Sequence, residues 1–306
     1  APDGLLLNFK SLIFTFTPNP TTGVVTVKSE PPIAGVEIPL QVLPGAGECG
    51  NWRGKLGADF ADPTRIQFAG RYAMACGERV WPVAYVQPQA YAARVVEAMW
   101  RAGGGVLRGT VRDGKTQPSA RLLLSSPSLP LTDIAADINK FSNNVMAQQL
   151  FLTLSAFKRG RGSFGASQSV VTQWWREKFG ADKTLIAPFI ENGSGLSRRE
   201  RVSAAALTAL LRHAASGVHA QSFGSSLSIA GVDSTVAAMR ARNGASAALG
   251  NAQLKTGTLR DVAAVAGYAS GQSGQRYSLV AIINHPNAPA ARPALDALVE
   301  WVVRDQ

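Results

Sequence analysis

Two short stretches of the chain carry side chains suited to proton transfer and anion binding. In Lys255-Thr256-Gly257-Thr258 a cation is followed by two hydroxyls flanking a glycine. On a strand edge such a run can pair its backbone with an extended peptide while the ammonium and hydroxyls hold the peptide's anionic end. Gly257 keeps that approach open, because a side chain there would block a close ligand. The other stretch, Ser142-Asn143-Asn144, ends 111 residues before Lys255. Ser142 and Asn144, at i and i+2 on a tight interhelical turn, can face one cleft, the hydroxyl relaying a proton and the amide holding a substrate carbonyl. Each stretch also has a plainer role open to it: a surface turn for residues 255–258 and helix capping for Ser142 or Asn144.

Periodicity supplies the elements that must position these residues. From about residue 5 to 86 the chain is rich in Val, Ile, Thr and Phe broken by Pro and Gly, with strand-like runs at 11–17, 23–27 and 64–70. A helix fits 88–102, with Tyr91, Val95, Val96, Met99 and Trp100 on one face and Gly103-Gly104-Gly105 stopping it. Helical patterns then occupy 131–140, opened by Thr132 as a possible cap, and 145–157, with the S-N-N turn between them. Two more helices, 167–179 and 203–214, each start at a serine able to accept a first-turn N–H. Strands return at 252–258, 262–268 and 277–283, and a helix over 293–303 closes the chain. Strands around a helical block, with a terminal helix returning to the sheet, predict an α+β domain with an antiparallel sheet. No internal repeat is present.

Composition narrows the function classes. The 306 residues are 46% hydrophobic and 17% charged, a globular balance that excludes disorder. The longest apolar runs, such as 262–269, fall far short of the ~18 residues that a membrane-spanning helix needs. A formal net charge of +11 favours polyanionic surroundings without selecting among nucleic acid, membrane surface and an acidic cell wall. The densest basic run, Lys158-Arg159-Gly160-Arg161, has no interleaved aromatics and reads as a solvated loop rather than a nucleic-acid site. Cys49 and Cys76 have no zinc-type spacing, and His213, His219 and His285 lie far from them. A disulfide is a better reading than two buried thiols, and it would indicate an oxidising compartment. The start at Ala1-Pro2-Asp3, without Met, reads as a processed or trimmed product. Trp174 and Trp175 fit a helix with one ring buried, with a carbohydrate platform as the alternative.

An S-x-N turn followed by K-T-G on a strand is two thirds of the signature of penicillin-binding serine enzymes. Around these motifs the chain resembles the D-alanyl-D-alanine carboxypeptidase/endopeptidase family of low-molecular-mass penicillin-binding proteins with inserted domains. Glu191-Asn192-Gly193-Ser194-Gly195-Leu196-Ser197-Arg198 is similar to that family's D-G-S-G-L-S-R segment. Residues 254–268, with K-T-G-T-L and then V-A-G-Y, are similar to its K-T-G-S-L and L-A-G-F. Asn143-Asn144-Val145-Met146-Ala147 stands where D-N-M-I-A is frequent. The β-rich start with its cysteine pair resembles the family's second domain. Asn143 and Asn192 each replace an Asp, which removes two carboxylates and leaves the principal S-x-N and K-T-G side chains intact.

The resemblance implies a β-lactamase/transpeptidase-like domain over 88–306 and part of a β-rich inserted domain over 1–87. It implies a periplasmic, cofactor-free serine carboxypeptidase, and DD-endopeptidase, acting on peptidoglycan peptides ending in D-Ala-D-Ala and acylated by β-lactams, without nucleic acid as a partner. Ser142 would pass a proton to the leaving nitrogen, Asn144 would hold the substrate amide and Lys255 would supply positive charge. Thr256 and Thr258 would bind the substrate carboxylate, and the backbone near Thr258 would give one oxyanion donor. The nucleophile of these enzymes is the serine of an S-x-x-K placed far toward the N-terminus. The S-x-x-K present here, Ser155-Ala156-Phe157-Lys158, would sit ~15 Å along its helix from the S-N-N turn, out of reach. The true motif is therefore expected before Ala1, with this chain a C-terminal portion inactive alone. A peptidoglycan-binding scaffold that lost its nucleophile is the alternative.

Overall fold

The computed structural model describes residues 2–305. They form two compact units, Asp3–Leu124 and the residues from 125 onward. In the first unit, β1 (Ser11–Asn19), β2 (Val24–Glu30) and β3 (Gln41–Gly45) precede a single helical turn, α1 (Trp52–Lys55). Short strands β4 (Ala58–Asp59) and β5 (Gln67–Phe68) pair with each other. With β6 (Arg71–Ala73) and β7 (Arg79–Ala84), the main sheet has the order β6-β3-β2-β1-β7. Alternation along β1 drives Leu12, Phe14 and Phe16 inward, as the two-residue period of a strand requires. They meet Trp52, Phe60, Phe68, Tyr72 and Trp81 in a cluster of tilted and edge-on rings, with Phe16 stacked on Tyr72. Cys49 and Cys76 are joined in a disulfide within this unit.

Helix α2 (Pro88–Ala102) has the bounds its periodicity predicts but a different home. It buries Tyr91 and Val95 in the core of the β-rich unit. Tyr91 Oη donates to the Ser11 carbonyl at 2.7 Å, and Arg94 donates to the carbonyls of Ala34 and Gly35 at 2.8 and 3.0 Å. The division therefore falls after residue 124 and not after 87, because periodicity identifies an apolar face without naming the surface that covers it. The run 64–70, expected as one strand, is broken: Arg65 makes a single parallel bridge with Glu37, and strand β5 covers only Gln67–Phe68.

The second unit opens with α3 (Leu131–Phe141), α4 (Asn144–Arg159), α5 (Phe164–Phe179), α6 (Ala204–Ser216) and α7 (Ala220–Ser226). After β8 (Ser228–Ile229) and the short α8 (Ala238–Arg242) come β9 (Ala252–Leu259), β10 (Val262–Ser270), β11 (Arg276–Asn284) and α9 (Arg292–Arg304). The four strands form one antiparallel sheet in the order β11-β10-β9-β8. On one face α9 lays Leu295, Val299 and Val303 against Leu254, Ala263, Val265 and Ala269. The other face presents Tyr268, which packs with Leu211 and Leu227 and donates from its hydroxyl to the Leu211 carbonyl at 2.6 Å. Gly267 explains the glycine of V-A-G-Y: at φ 155° a Cβ there would stand 2.1 Å from the Gln253 carbonyl oxygen. β9 and β10 could not then keep their register.

Capping shows where local pattern misleads. Ser203 accepts from Ala206 N at 3.0 Å, as its position predicts. Helix α5, by contrast, is capped by Ser163, four residues before the expected Ser167. Thr132 lies inside α3, whose N-cap is Pro130. Trp175 is buried with its indole N–H on the Leu185 carbonyl, and Trp174 makes edge contacts with Phe179 and His213. Among the described residues, no helix is long and apolar enough to cross a membrane.

Candidate active site

The two motifs of the second unit meet. Lys255 Nζ donates to Ser142 Oγ at 2.8 Å and to the Thr256 carbonyl at 3.0 Å. Ser142 reaches this position because it ends α3 in the left-handed region, at φ 52°, ψ 44°, and turns the chain sharply into α4. Neither Ser142 nor Asn144 caps that helix. Asn143 does, its side-chain oxygen accepting from Met146 N at 3.1 Å, which leaves Asn144 at the first helical position. The turn is braced from α3 by an ion pair between Lys140 and Asp233 and by Asn139 Nδ2, which donates to Ser226 Oγ at 2.8 Å.

The two Asp-to-Asn departures share one explanation. Asn192 Oδ1 accepts from Ser194 N at 2.9 Å, as Asn143 Oδ1 accepts from Met146 N. Each amide supplies the one acceptor oxygen that its turn uses, a role that an aspartate oxygen would fill equally but with a negative charge.

Strand alternation divides the K-T-G residues between two faces. Leu254 points into the α9 core. Lys255 and Gly257 therefore face the opposite side, across from Ala266 and Ala264 of β10, where Ser142 lies. Thr256 and Thr258 share the α9 face. Thr256 Oγ1 lies 3.3 Å from Thr235 Oγ1, and Thr258 Oγ1 accepts from Arg292 at 2.6 Å. These four residues line one cavity with Gly257. Strand β8 pairs only with Gln253 and Leu254, so beyond them the outer edge of β9 has no neighbouring strand among the described residues. Nothing in the fold demands glycine at 257: a Cβ there would meet only Ala264 Cβ, at 3.7 Å. The edge is thus open to an extended ligand whose backbone can come close.

Burial shapes the charge. The Lys255 ammonium is pushed below its ordinary lysine value by desolvation. Its hydrogen bonds go to a hydroxyl and a carbonyl, and no carboxylate among the described residues pairs with it. A cation left in this state is poised to gain from an incoming anion.

Ser155 has a structural role. It is fully buried, its Oγ lies 2.7 Å from Ser167 Oγ, and it accepts from Ser163 N at 3.0 Å. Lys158 is exposed beside the Phe157 ring, and no bond joins the two. The i,i+3 spacing alone does not create the serine–lysine pair of a nucleophile. A larger cavity of about 630 Å³ runs along α5 against Pro188 and Phe189, and none of the S-x-N or K-T-G residues lines it. Arg292, which bonds Thr258 from 34 residues further along the chain, belongs to no motif.

An antiparallel sheet bearing K-T-G beside a helical cluster whose interhelical turn bears S-x-N defines a β-lactamase/transpeptidase-like domain. Within that class the chain belongs to the D-Ala-D-Ala carboxypeptidase 3 (S13) family, whose model matches residues 12–304. It is 31% identical over 221 residues to a D-alanyl-D-alanine carboxypeptidase of Actinomadura sp., covering 69% of this chain and 40% of that protein. With the D-alanyl-D-alanine carboxypeptidase DacB of Haemophilus influenzae it shares 27% identity over 199 residues, 64% of this chain and 40% of the relative. The chain thus spans about 40% of the length of the curated relatives it matches. The crystal structure of penicillin binding protein 4 (dacB) from Haemophilus influenzae has the same fold, with a TM-score of 0.66 at 22% identity over 97% of this chain and 65% of that one. The same protein complexed with a β-lactam gives 0.62 at 22% identity, over 90% and 63% of the two chains.

Proposed function

We propose that these residues form the proton-relay and substrate-anchoring half of an exported serine D-Ala-D-Ala carboxypeptidase that also cleaves peptidoglycan cross-links and is acylated by β-lactams. The observation that carries this reading is the 2.8 Å bond between Lys255 and Ser142. A serine hydroxyl that accepts from an ammonium has its own proton free to give away, which suits it to protonate a leaving nitrogen.

In the reaction, a nucleophilic serine adds to the penultimate D-Ala carbonyl carbon, and the neutral lysine of its S-x-x-K takes the hydroxyl proton. The C–N bond breaks as Ser142 delivers its proton to the departing amine, which leaves as D-Ala or as the amine of a cross-link, and Ser142 regains a proton from the S-x-x-K ammonium, which becomes neutral again. Water then cleaves the ester and restores the serine. Asn144 orients the substrate amide, Lys255 holds Ser142 and supplies positive charge, and an N–H of β9 near Thr258 supports the oxyanion. The burial and bonding of Ser155 support a nucleophile other than the S-x-x-K at 155–158.

The test is the intact mass of the full-length product after incubation with penicillin. The expected result is a single adduct on an S-x-x-K peptide other than 155–158. No adduct from an untruncated protein would leave a peptidoglycan-binding scaffold without catalysis, and an adduct on Ser155 would overturn the structural role given to it.

A further inference from the structure

Arg292 has the geometry of a binding residue and the placement of a poor structural one. It is the first residue of α9, a helix with no acidic residue in its first turn, where a cation opposes the helix dipole. Its neighbour Asp296 is already engaged by Arg242 through two bonds of 2.6 and 3.1 Å. No ion pair to Arg292 exists among the described residues, and its one side-chain bond is the 2.6 Å contact to Thr258 Oγ1. A guanidinium has five N–H donors, so most of this one's capacity is unused. By accepting from Arg292, the Thr258 hydroxyl keeps its own proton free to donate. Thr256, Thr258, Thr235 and Arg292 line the same narrow gap of about 20 Å³ on the α9 face of β9, with Gly257 and Thr258 exposed at it.

We propose that Arg292 is a specificity-determining residue that binds the free C-terminal carboxylate of the peptide together with the hydroxyls of Thr256 and Thr258. The inference rests on the carboxypeptidase reading above. It divides the two cations of the site: Lys255, on the opposite face, holds Ser142, and Arg292 provides the forked donor that a carboxylate matches.

The test uses the full-length protein and two diacetyl-Lys-D-Ala-D-Ala peptides, one with a free carboxylate and one with a C-terminal amide. Wild type, Arg292→Ala and Arg292→Lys are compared by kcat/KM and by calorimetric binding, with thermal melting to show that each variant is folded. Arg292→Ala is expected to lower kcat/KM for the acid roughly ten- to a hundredfold, the range of a lost charge-assisted hydrogen bond, mainly through KM. The amide should change less than about threefold, and Arg292→Lys should recover part of the loss for the acid. Equal losses on acid and amide, or no loss on either, would overturn the proposal. Wild type that turns over neither peptide refutes the carboxypeptidase reading. The binding arm then decides the role of Arg292 by itself: acid bound more tightly than amide by wild type but not by Arg292→Ala supports it, and equal binding overturns it.

Discussion

Lys255 and Ser142 bond at 2.8 Å across 113 residues of chain, one from the stretch of β9 that β8 leaves uncovered and the other from an interhelical turn held in the left-handed region. Because each is the other's partner, losing both should cost little more than losing one. Lys255→Ala should slow penicillin acylation of the full-length protein by roughly ten- to a hundredfold, from the loss of a charged hydrogen bond of about 1.5–3 kcal/mol. Ser142→Ala should fall in the same range. Stopped-flow acylation rates around the double-mutant cycle should give a coupling of about 1 kcal/mol or more, and simple additivity would refute a joint role.

The lowered proton affinity of Lys255 gives two pH signatures. Acylation depends on the cation, so its alkaline limb should begin below the range of an ordinary lysine and disappear in Lys255→Ala. For stability, the folded state sheds this proton before the unfolded chain does. Between the folded and unfolded pKa values the unfolded state binds more protons, so stability rises with pH across that window. Below it both states are charged and the desolvation cost is present in full. Lys255→Met should therefore melt higher than wild type at neutral pH, with the gap closing toward the alkaline side. A gap that widens with pH would contradict the burial.

Gly257 and Gly267 should respond to alanine in opposite ways. At 267 the new Cβ meets a backbone oxygen at 2.1 Å, which no rotamer change can relieve, so Gly267→Ala should destabilise the sheet by about 3 kcal/mol or more and reduce soluble yield. At 257 the nearest atom is Ala264 Cβ at 3.7 Å. Gly257→Ala should melt within a few degrees of wild type, yet lose penicillin reactivity because its methyl occupies the ligand's approach. A normal acylation rate in a folded Gly257→Ala would show that ligands do not run along this edge.

Much of this arrangement is legible in the amino-acid order, and the rest fails for identifiable reasons. The helix over 88–102 and the strands around K-T-G follow from period and punctuation, because an apolar stripe or alternation records burial directly. Ser142 and Lys255 are recognisable because S-x-N and K-T-G are short and their chemistry is specific. The home of α2 is not legible, since Tyr91 and Val95 would suit any apolar surface. The cap of α5 shifts from Ser167 to Ser163 because Ser167 is drawn into a buried pair with Ser155, a contact made across two helices. Arg292 escapes notice for the same reason: its meaning lies in the proximity of α9 to β9, and nothing in the run Ala291-Arg292-Pro293 signals it.

The Cys49–Cys76 disulfide closes a 27-residue loop in the β-rich unit. On the loop-entropy estimate it contributes about 3.5 kcal/mol, so Cys49→Ala/Cys76→Ala should lower the unfolding free energy of that unit by about this amount. The two units have separate hydrophobic cores. The loss should therefore appear in one denaturation transition, followed by tryptophan fluorescence, while penicillin reactivity of the full-length protein persists below that transition.

Ser155 offers the sharpest separation of stability from chemistry. Its Oγ serves the Ser163 N–H, which opens α5, and the Ser167 hydroxyl, and Ser155 and Ser167 are both fully buried. Alanine leaves those groups short of a partner, at about 1–3 kcal/mol for each one left unsatisfied. Ser155→Ala should accordingly melt several degrees lower. Cysteine, similar in size but a weak hydrogen-bonding group, should recover part of the loss by filling the space. If Ser155 were the acylated serine, Ser155→Ala would abolish the penicillin adduct and Ser155→Cys would expose a reactive thiol. A buried, doubly bonded serine predicts the reverse: adduct formation at the wild-type rate in both variants below their melting temperatures, and a cysteine inert to thiol reagents until the fold opens.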